Sequence, residues 1–349
     1  MKCPENLNIR QFKSLITPAD LAYELPRTKD VGSVVAGARK RIEQILTNKD
    51  RRRIVIAGPY SLHDRDASLE YAERLCRLQE AVKDTLLITM RCYFDKPRST
   101  LGWNGMLYDP HLDDSYDIEE GFRRARGLLL AVGAMELPVA TEFLDPIVPQ
   151  YVSDLISWAA IGAHTTESQI HRQMASGLSM PVGFKNSTDG NPATTIAAIK
   201  AAASPHSFIG IYSSGRVVIA ETSGNPHGHL VMRGGTHGPD YSEQYIASIQ
   251  VLLRESDVPT GVILDCSHAS FHKDPTRQRY VLANVAQQIH SGNRLITGIM
   301  LESFIHEGNQ KIEARKKLEY GVSVTDKCIG WEDTEALIHS FAETVSHHV

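Results

Sequence analysis

The chain of 349 residues fits either two ordinary domains or one α/β barrel with additions. Its 42% hydrophobic and 22% charged content, with 41 acidic against 37 basic side chains and a net charge of -4, excludes a disordered, collagen-like or coiled-coil chain. No basic run exceeds Arg51-Arg52-Arg53, no apolar run is long enough to span a bilayer and no leader pattern opens the chain, so neither nucleic acid nor membrane is expected as a partner and the expected location is cytoplasmic.

Residues 1–50 carry helical pattern at Pro18 to Leu25 and Val31 to Leu46, broken at Pro26, and read as an N-terminal extension or oligomerisation arm rather than a domain. From 51 to 349, short Val/Ile/Leu runs alternate with amphipathic helical stretches, the signature of βαβ units around a parallel sheet. The strand candidates are Ile54–Ala57, Leu86–Arg91, Pro138–Phe143, Ala160–Ala163, Pro181–Lys185, Ser207–Tyr212, His229–Arg233, Gly261–Cys266 and Leu295–Glu302. Nine runs exceed a closed eight-stranded barrel by one. The Gly/Ser-punctuated stretch 213–228, with its strand-like Val217–Glu221, is read as an inserted hairpin, leaving eight barrel strands. An open doubly wound sheet is the competing architecture, but it would usually bring a Gly-rich dinucleotide turn after its first strand, and Gly58-Pro59-Tyr60-Ser61 is not one. Five scattered cysteines indicate neither a disulfide framework nor a zinc cluster.

Arg91, Glu142, His164, Lys185, Arg233, His268 and Glu302 each stand at or just beyond the C-terminal end of a different run. In a (β/α)8 barrel those positions converge on one mouth, where active sites are built. One such residue would be unremarkable, since strands commonly end in polar residues. Arg91, Lys185 and Arg233, with Lys96 and Arg98 in the loop from Asp95 to Thr100, would concentrate positive charge suited to phosphate and carboxylate. His268, Glu302 and Asp326 form a mixed N/O donor set suited to a divalent metal, although their wide separation makes the spacing uninformative.

Several runs then point to a family: Ala57-Gly-Pro-Tyr-Ser-Leu-His-Asp64, Met90-Arg-Cys-Tyr-Phe-Asp-Lys-Pro-Arg98, Glu142-Phe-Leu-Asp145, Thr165-Thr-Glu-Ser-Gln169, Gly183-Phe-Lys-Asn186, Arg233-Gly-Gly235, Asp265-Cys-Ser-His268, Glu307-Gly-Asn-Gln310 and Ile329-Gly-Trp-Glu-Asp333. In order, from about residue 8 to the C-terminus, the chain resembles type I 3-deoxy-D-arabino-heptulosonate 7-phosphate (DAHP) synthases. The resemblance implies a (β/α)8 TIM barrel with an N-terminal helical extension and an inserted β-hairpin, assembled as a homodimer or homotetramer. It implies condensation of phosphoenolpyruvate with erythrose 4-phosphate to give DAHP and phosphate, the first step of the shikimate pathway, with a divalent metal (Mn, Fe, Co, Zn or Mg) as cofactor. By the same resemblance Arg91, Lys185, Arg233 and His164 would face phosphoenolpyruvate, and Lys96, Arg98 and Ser99 the aldose phosphate. His268, Glu302 and Asp326 would hold the metal, and Lys96, Glu142, Lys185 and His268 would carry the catalysis. Either Glu142 or a metal-held water would activate the attacking water.

Two positions depart from the family pattern. Tyr60 stands where the family places a metal-ligating cysteine, so the remaining three ligands would hold the ion with water or a strained phenolate, or not at all. His164 stands where the family uses an arginine, and an imidazole cannot make the bidentate fork. The expected metal binding is therefore weaker or altered. Pro149, Gln150, Ser179, Phe208 and Gly210 match positions around the family's aromatic-amino-acid pocket, and the small Gly210 leaves room for an extra hydroxyl, favouring tyrosine as effector. The preferred reading is a working or impaired DAHP synthase. The alternatives are a diverged enzyme condensing phosphoenolpyruvate with another aldehyde in specialised metabolism, and a non-catalytic regulatory paralogue that binds ligands.

Overall fold

Each of the nine predicted runs forms a strand in the computed structural model, which describes residues 5–98, 101–235, 240–268, 275–313 and 317–346. In chain order the elements are α1 (Pro18–Glu24), α2 (Lys29–Leu46), β1 (Arg53–Gly58), α3 (Arg65–Val82), β2 (Leu86–Arg91), α4 (Ile118–Ala134), β3 (Val139–Glu142), α5 (Pro149–Val152), β4 (Trp158–Ile161), α6 (Gln169–Gly177), β5 (Val182–Lys185), α7 (Pro192–Ala202), β6 (His206–Ile211), β7 (Val217–Thr222), β8 (Gly228–Met232), α8 (Glu243–Glu255), β9 (Val262–Asp265), α9 (Gln278–His290), β10 (Ile296–Glu302) and α10 (Trp331–Val345). Eight parallel strands close in the order β1-β10-β9-β8-β5-β4-β3-β2. Every residue of these strands is buried, which is why they read as continuous apolar runs. No described helix is long and apolar enough to cross a membrane.

The surplus run is resolved differently from the expectation. The hairpin is β6–β7, residues 206–222, and not 213–228: Ser207–Tyr212 supplies its first strand, and the sixth barrel strand is β8, which pairs directly with β5. The physical reason is visible in burial, since β6 and β7 alternate between half-buried and exposed positions whereas the barrel strands do not. Ile209 and Ile219 face each other across the hairpin and are 82% and 76% exposed.

The N-terminal extension is built into this body from α1 onward. Thr28 caps α2 by accepting from the Val31 N–H. The far end of α2 places Ile42, Ile45 and Leu46 under the barrel, where they join Ile54, Leu87, Trp158, Val231 and Ile263 in one apolar cluster. The Gly261 N–H donates to the Leu46 carbonyl at 2.8 Å. Arg126 of α4 fastens α1, its Nε donating to Leu25 O and its Nη1 to Tyr151 O, both at 2.9 Å. With the floor closed in this way, the opposite, C-terminal end is left as the open face.

Candidate active site at the barrel mouth

A continuous chain of contacts runs across the mouth. Lys185, at the end of β5, places Nζ 2.7 Å from Asp265 Oδ2 at the end of β9, both side chains being buried. Burial alone would raise the Asp265 carboxyl, but Lys185 and then His268 outweigh it and hold the group well below the ordinary carboxylate range. His268 Nδ1 lies 3.2 Å from the same Oδ2. The same Nδ1 stands 3.7 Å from Glu302 Oε1, so Asp265 and Glu302 both border the imidazole.

His268, Glu302 and Asp326 bring one ligand atom each within 4.8 Å of one another, so three residues from different barrel-mouth segments meet as the sequence reading expected. Glu302, at the end of β10, is fixed by Gln278: its N–H donates to Gln278 Oε1 and its carbonyl accepts from Gln278 Nε2, each at 2.9 Å. Its buried Oε1 has no hydrogen-bond partner, although Arg91 Nη2 stands 3.2 Å away. Arg91 at the end of β2 is fully buried, its guanidinium 4.1 Å from the Tyr93 ring centroid and 4.9 Å from that of Tyr60. Gly58 permits this packing, because a Cβ there would come within 2.6 Å of the Arg91 carbonyl. None of the three Arg91 guanidinium nitrogens has a hydrogen-bond acceptor.

Tyr60 takes the place between these groups. Burial first, then Glu142, holds its phenol well above its ordinary pKa, so an anionic oxygen ligand is disfavoured. Its ring meets His268 edge-on at 6.0 Å and lies 3.1 Å from Lys96 Nζ. Lys96 also donates to Asp326 Oδ2 at 3.0 Å, and burial lowers its pKa to about 8 against the pull of that carboxylate.

The other predicted residues sit around this chain rather than in it. Arg233, beyond β8, is held by Asn186 through its backbone, with N–H and carbonyl bonds of 2.7 and 2.9 Å, and its buried Nε has no acceptor. Glu142 ends β3 against Gly162, where any Cβ would stand 1.9 Å from its Oε1. Close by, burial and then Asp145 and Glu142 push the Asp95 carboxyl up to about 8. His164 is exposed on the loop after β4. Arg98 is exposed, donates from Nε to Trp103 O at 2.8 Å and lines an open cleft of about 1130 Å³ shared with Asn104, Asn309, Lys311 and Asp326. Ser99 lies outside the described residues.

The five effector-pocket positions are spread over neighbouring elements. Phe208 and Gly210 share the half-buried face of β6, Pro149 and Gln150 open α5, and Ser179 is exposed after α6. The hairpin turn and α5 are linked through the N-terminal segment: the Ala19 N–H donates to Ser213 O, and the Tyr151 hydroxyl to Ile16 O, both at 2.8 Å. Asp265, Gln278, Asn186 and Tyr93 hold these candidate residues in place and were missed by reasoning from single positions. Only Asp265 carried a signal, standing three residues before His268 at a strand end.

The model of the DAHP synthetase I family matches residues 28–339. The chain is 48% identical to the Trp-sensitive phospho-2-dehydro-3-deoxyheptonate aldolase of Enterobacter agglomerans, over all of both chains. It is also 48% identical to the Phe-sensitive and Tyr-sensitive enzymes of Escherichia coli K12, covering 98% of this chain and 97% and 96% of theirs. The solved structure of phospho-2-dehydro-3-deoxyheptonate aldolase from Francisella tularensis superposes with a TM-score of 0.96 at 44% identity, covering 98% of this chain and 100% of that one. With a closed (β/α)8 barrel, a charged mouth and this similarity along its whole length, the chain belongs to the DAHP synthetase I family.

Proposed function

We propose that this protein condenses phosphoenolpyruvate with erythrose 4-phosphate to give DAHP and inorganic phosphate. The observation that carries the reading is the set of cations at the mouth with buried donors that lack hydrogen-bond acceptors, the whole guanidinium of buried Arg91 and the Nε of half-buried Arg233, beside Lys185. A ligand carrying a carboxylate and a phosphate supplies those acceptors. The similarity gives no support to a different aldehyde or to a non-catalytic role.

The three residues fit a divalent ion: one ligand atom of each converges within 4.8 Å, and the buried Glu302 Oε1 lacks a hydrogen-bond donor. An ion held by His268, Glu302 and Asp326 would polarise the aldehyde carbonyl of the second substrate. Arg91, Lys185 and Arg233 anchor phosphoenolpyruvate so that its C3 faces that carbon, and Lys96 and Arg98 hold the aldose phosphate. C3 forms the new C–C bond as the aldehyde oxygen takes a proton from the Lys96 ammonium, water adds at C2 with Glu142 accepting one of its protons, and phosphate leaves by C–O cleavage with the remaining hydroxyl proton, giving the C2 ketone. Because the Tyr60 phenol does not replace a thiolate, we read metal affinity as weakened and preference as shifted toward Mn or Mg over thiophilic ions. Tyr60→Cys should therefore tighten Zn binding.

Phosphorylated substrates, which do not cross a bilayer unaided, support a cytoplasmic location. The exposed apolar face of the hairpin, with Ile209 and Ile219, and the exposed Leu7 and Phe12 support a homodimer or homotetramer, which light scattering would test. Overall identity is the same to the Phe-, Tyr- and Trp-sensitive relatives and does not choose among effectors, so the assignment to tyrosine rests on the missing side chain of Gly210 beside Phe208, which leaves room for an extra hydroxyl. Inhibition by phenylalanine but not tyrosine would reverse that assignment. The central test is phosphate release from phosphoenolpyruvate, which should require erythrose 4-phosphate. Release that is absent with this aldose but present with another aldehyde would overturn the substrate assignment.

A further inference from the structure

The mouth contains an ion pair that places a protein cation on a metal-ligand candidate. Lys96 Nζ lies 3.0 Å from Asp326 Oδ2, with the Lys96 side chain only 8% exposed. Asp326 is one of the three groups whose ligand atoms gather within 4.8 Å. An ammonium on this carboxylate and a divalent ion on the same carboxylate draw on one negative charge, and two cations a few ångströms apart repel.

Tyr60 turns this pairing into a held position. Its ring centroid stands 3.1 Å from Lys96 Nζ, so the ammonium has the carboxylate on one side and the electron-rich aromatic face on another. A cysteine at residue 60 would offer no such face. Arg91 sits in an analogous place beside Glu302, but it is fully buried and clamped between the rings of Tyr60 and Tyr93, so it is a fixed part of the site. Lys96 instead ends a flexible four-carbon stem in the segment following β2, and Asp326 borders the open cleft that Arg98 lines. That cleft offers the ammonium somewhere to go.

We propose that Lys96 is a built-in competitor of the divalent ion, held on Asp326 by the aromatic face of Tyr60, and that tight ion binding requires Lys96 to leave that carboxylate. Tyr60 then acts through its ring and not through its oxygen. The proposal rests on reading His268, Glu302 and Asp326 as metal ligands. It differs from a simple loss of the fourth ligand, under which removing the Tyr60 ring would leave affinity unchanged.

The test is Mn²⁺ binding alone, by calorimetry and by the loss of the free-ion electron paramagnetic resonance signal, near neutral pH and without substrates. Lys96→Met should bind Mn²⁺ about tenfold more tightly than the parent chain, as expected when a like charge beside the site is removed. Tyr60→Phe keeps the ring and should leave affinity within about twofold, whereas Tyr60→Leu should tighten it about threefold by releasing the ammonium. Lys96→Gln serves if the methionine variant does not fold. Unchanged or weaker binding in both Lys96 variants overturns the proposal, as does a marked loss in Tyr60→Phe, which would make the phenol oxygen a ligand. If neither the parent nor any variant binds Mn²⁺, the ligand-set reading falls as well. Tight binding by the parent that Lys96 variants do not alter removes only the competition.

Discussion

The two ends of the barrel are made from the same strands and handle buried polarity in opposite ways. At the floor, the Trp158 Nε1–H donates to His229 Nε2 at 3.0 Å, and His229 Nδ1 lies 3.1 Å from His227 O. Indole can only donate, so the imidazole is neutral with its proton on Nδ1, and both its nitrogens are used. Some floor atoms, such as Arg53 Nε and Ser157 Oγ, lack partners, but the Arg53 guanidinium still donates through Nη1 to the Arg51 and Arg52 carbonyls. At the mouth the Arg91 guanidinium and Glu302 Oε1 are buried without hydrogen bonds and stand beside Lys185, Asp265 and His268. Leaving charged groups buried and under-satisfied costs stability, so a cluster of them at one end marks where ligands complete the structure.

The largest effect should come from breaking the mouth. Lys185→Met should lower kcat/KM by about 10³-fold or more, the scale for losing a preorganised charge. It should also cost about 3–5 kcal/mol of stability, because Asp265 stays buried without its cation. Steady-state phosphate release and urea unfolding measure the two. Turnover retained within about tenfold would make Lys185 a packing residue and remove the contrast between the ends.

At the floor the same kind of change should affect folding alone. Trp158→Ala should cost about 3–5 kcal/mol in urea unfolding through the cavity it leaves, with kcat/KM of the folded protein close to that of the parent. A large loss of turnover without loss of stability would show that the floor communicates with the mouth.

A somewhat smaller effect follows from acid. Burial lowers the His229 pKa to about 4, partly opposed by its bond to His227. The unfolded chain takes up a proton near pH 6.5 that the folded chain refuses, so this contribution to stability is intact above about 6.5 and is lost as pH falls toward 4. The loss amounts to about 3 kcal/mol by pH 4. His229→Gln should flatten the fall in urea midpoint between pH 7 and 4, and an unchanged slope would assign it elsewhere, His63 being the next group, lowered to about 4 by its own burial.

The smallest expected change sharpens the mouth. His164→Arg should strengthen phosphoenolpyruvate binding by about 1.5–3 kcal/mol, the scale of a charge-assisted hydrogen bond, seen as a lower KM. An unchanged KM would place the exposed His164 outside the anion's reach.

Much of the fold was legible because it depends on local chemistry. Strands buried on both faces must be continuously apolar, and a strand that ends in Arg91, Glu142 or Lys185 announces its polar end. The hairpin was misplaced by a few residues because Ser207–Tyr212 is as apolar as a barrel strand, and only the alternation of exposure along the folded strand separates the two. The family motifs located Arg91, Lys185, Arg233, His268, Glu302 and Asp326 as candidates, and three of them do converge within 4.8 Å.

By itself the sequence determined residue type, apolar period and strand-end polarity, and these sufficed for a parallel barrel with a cationic mouth. The family resemblance further implied that Tyr60 stands where relatives place a cysteine. What Tyr60 does there was decided only by tertiary structure, because Lys96 and Asp326 are 230 residues apart and meet only when the barrel closes. The same holds for Asp265 under Lys185 and for Ile42, Ile45 and Leu46 beneath the strands. Such contacts act through distance and direction in space, and neither has any expression in one-dimensional spacing.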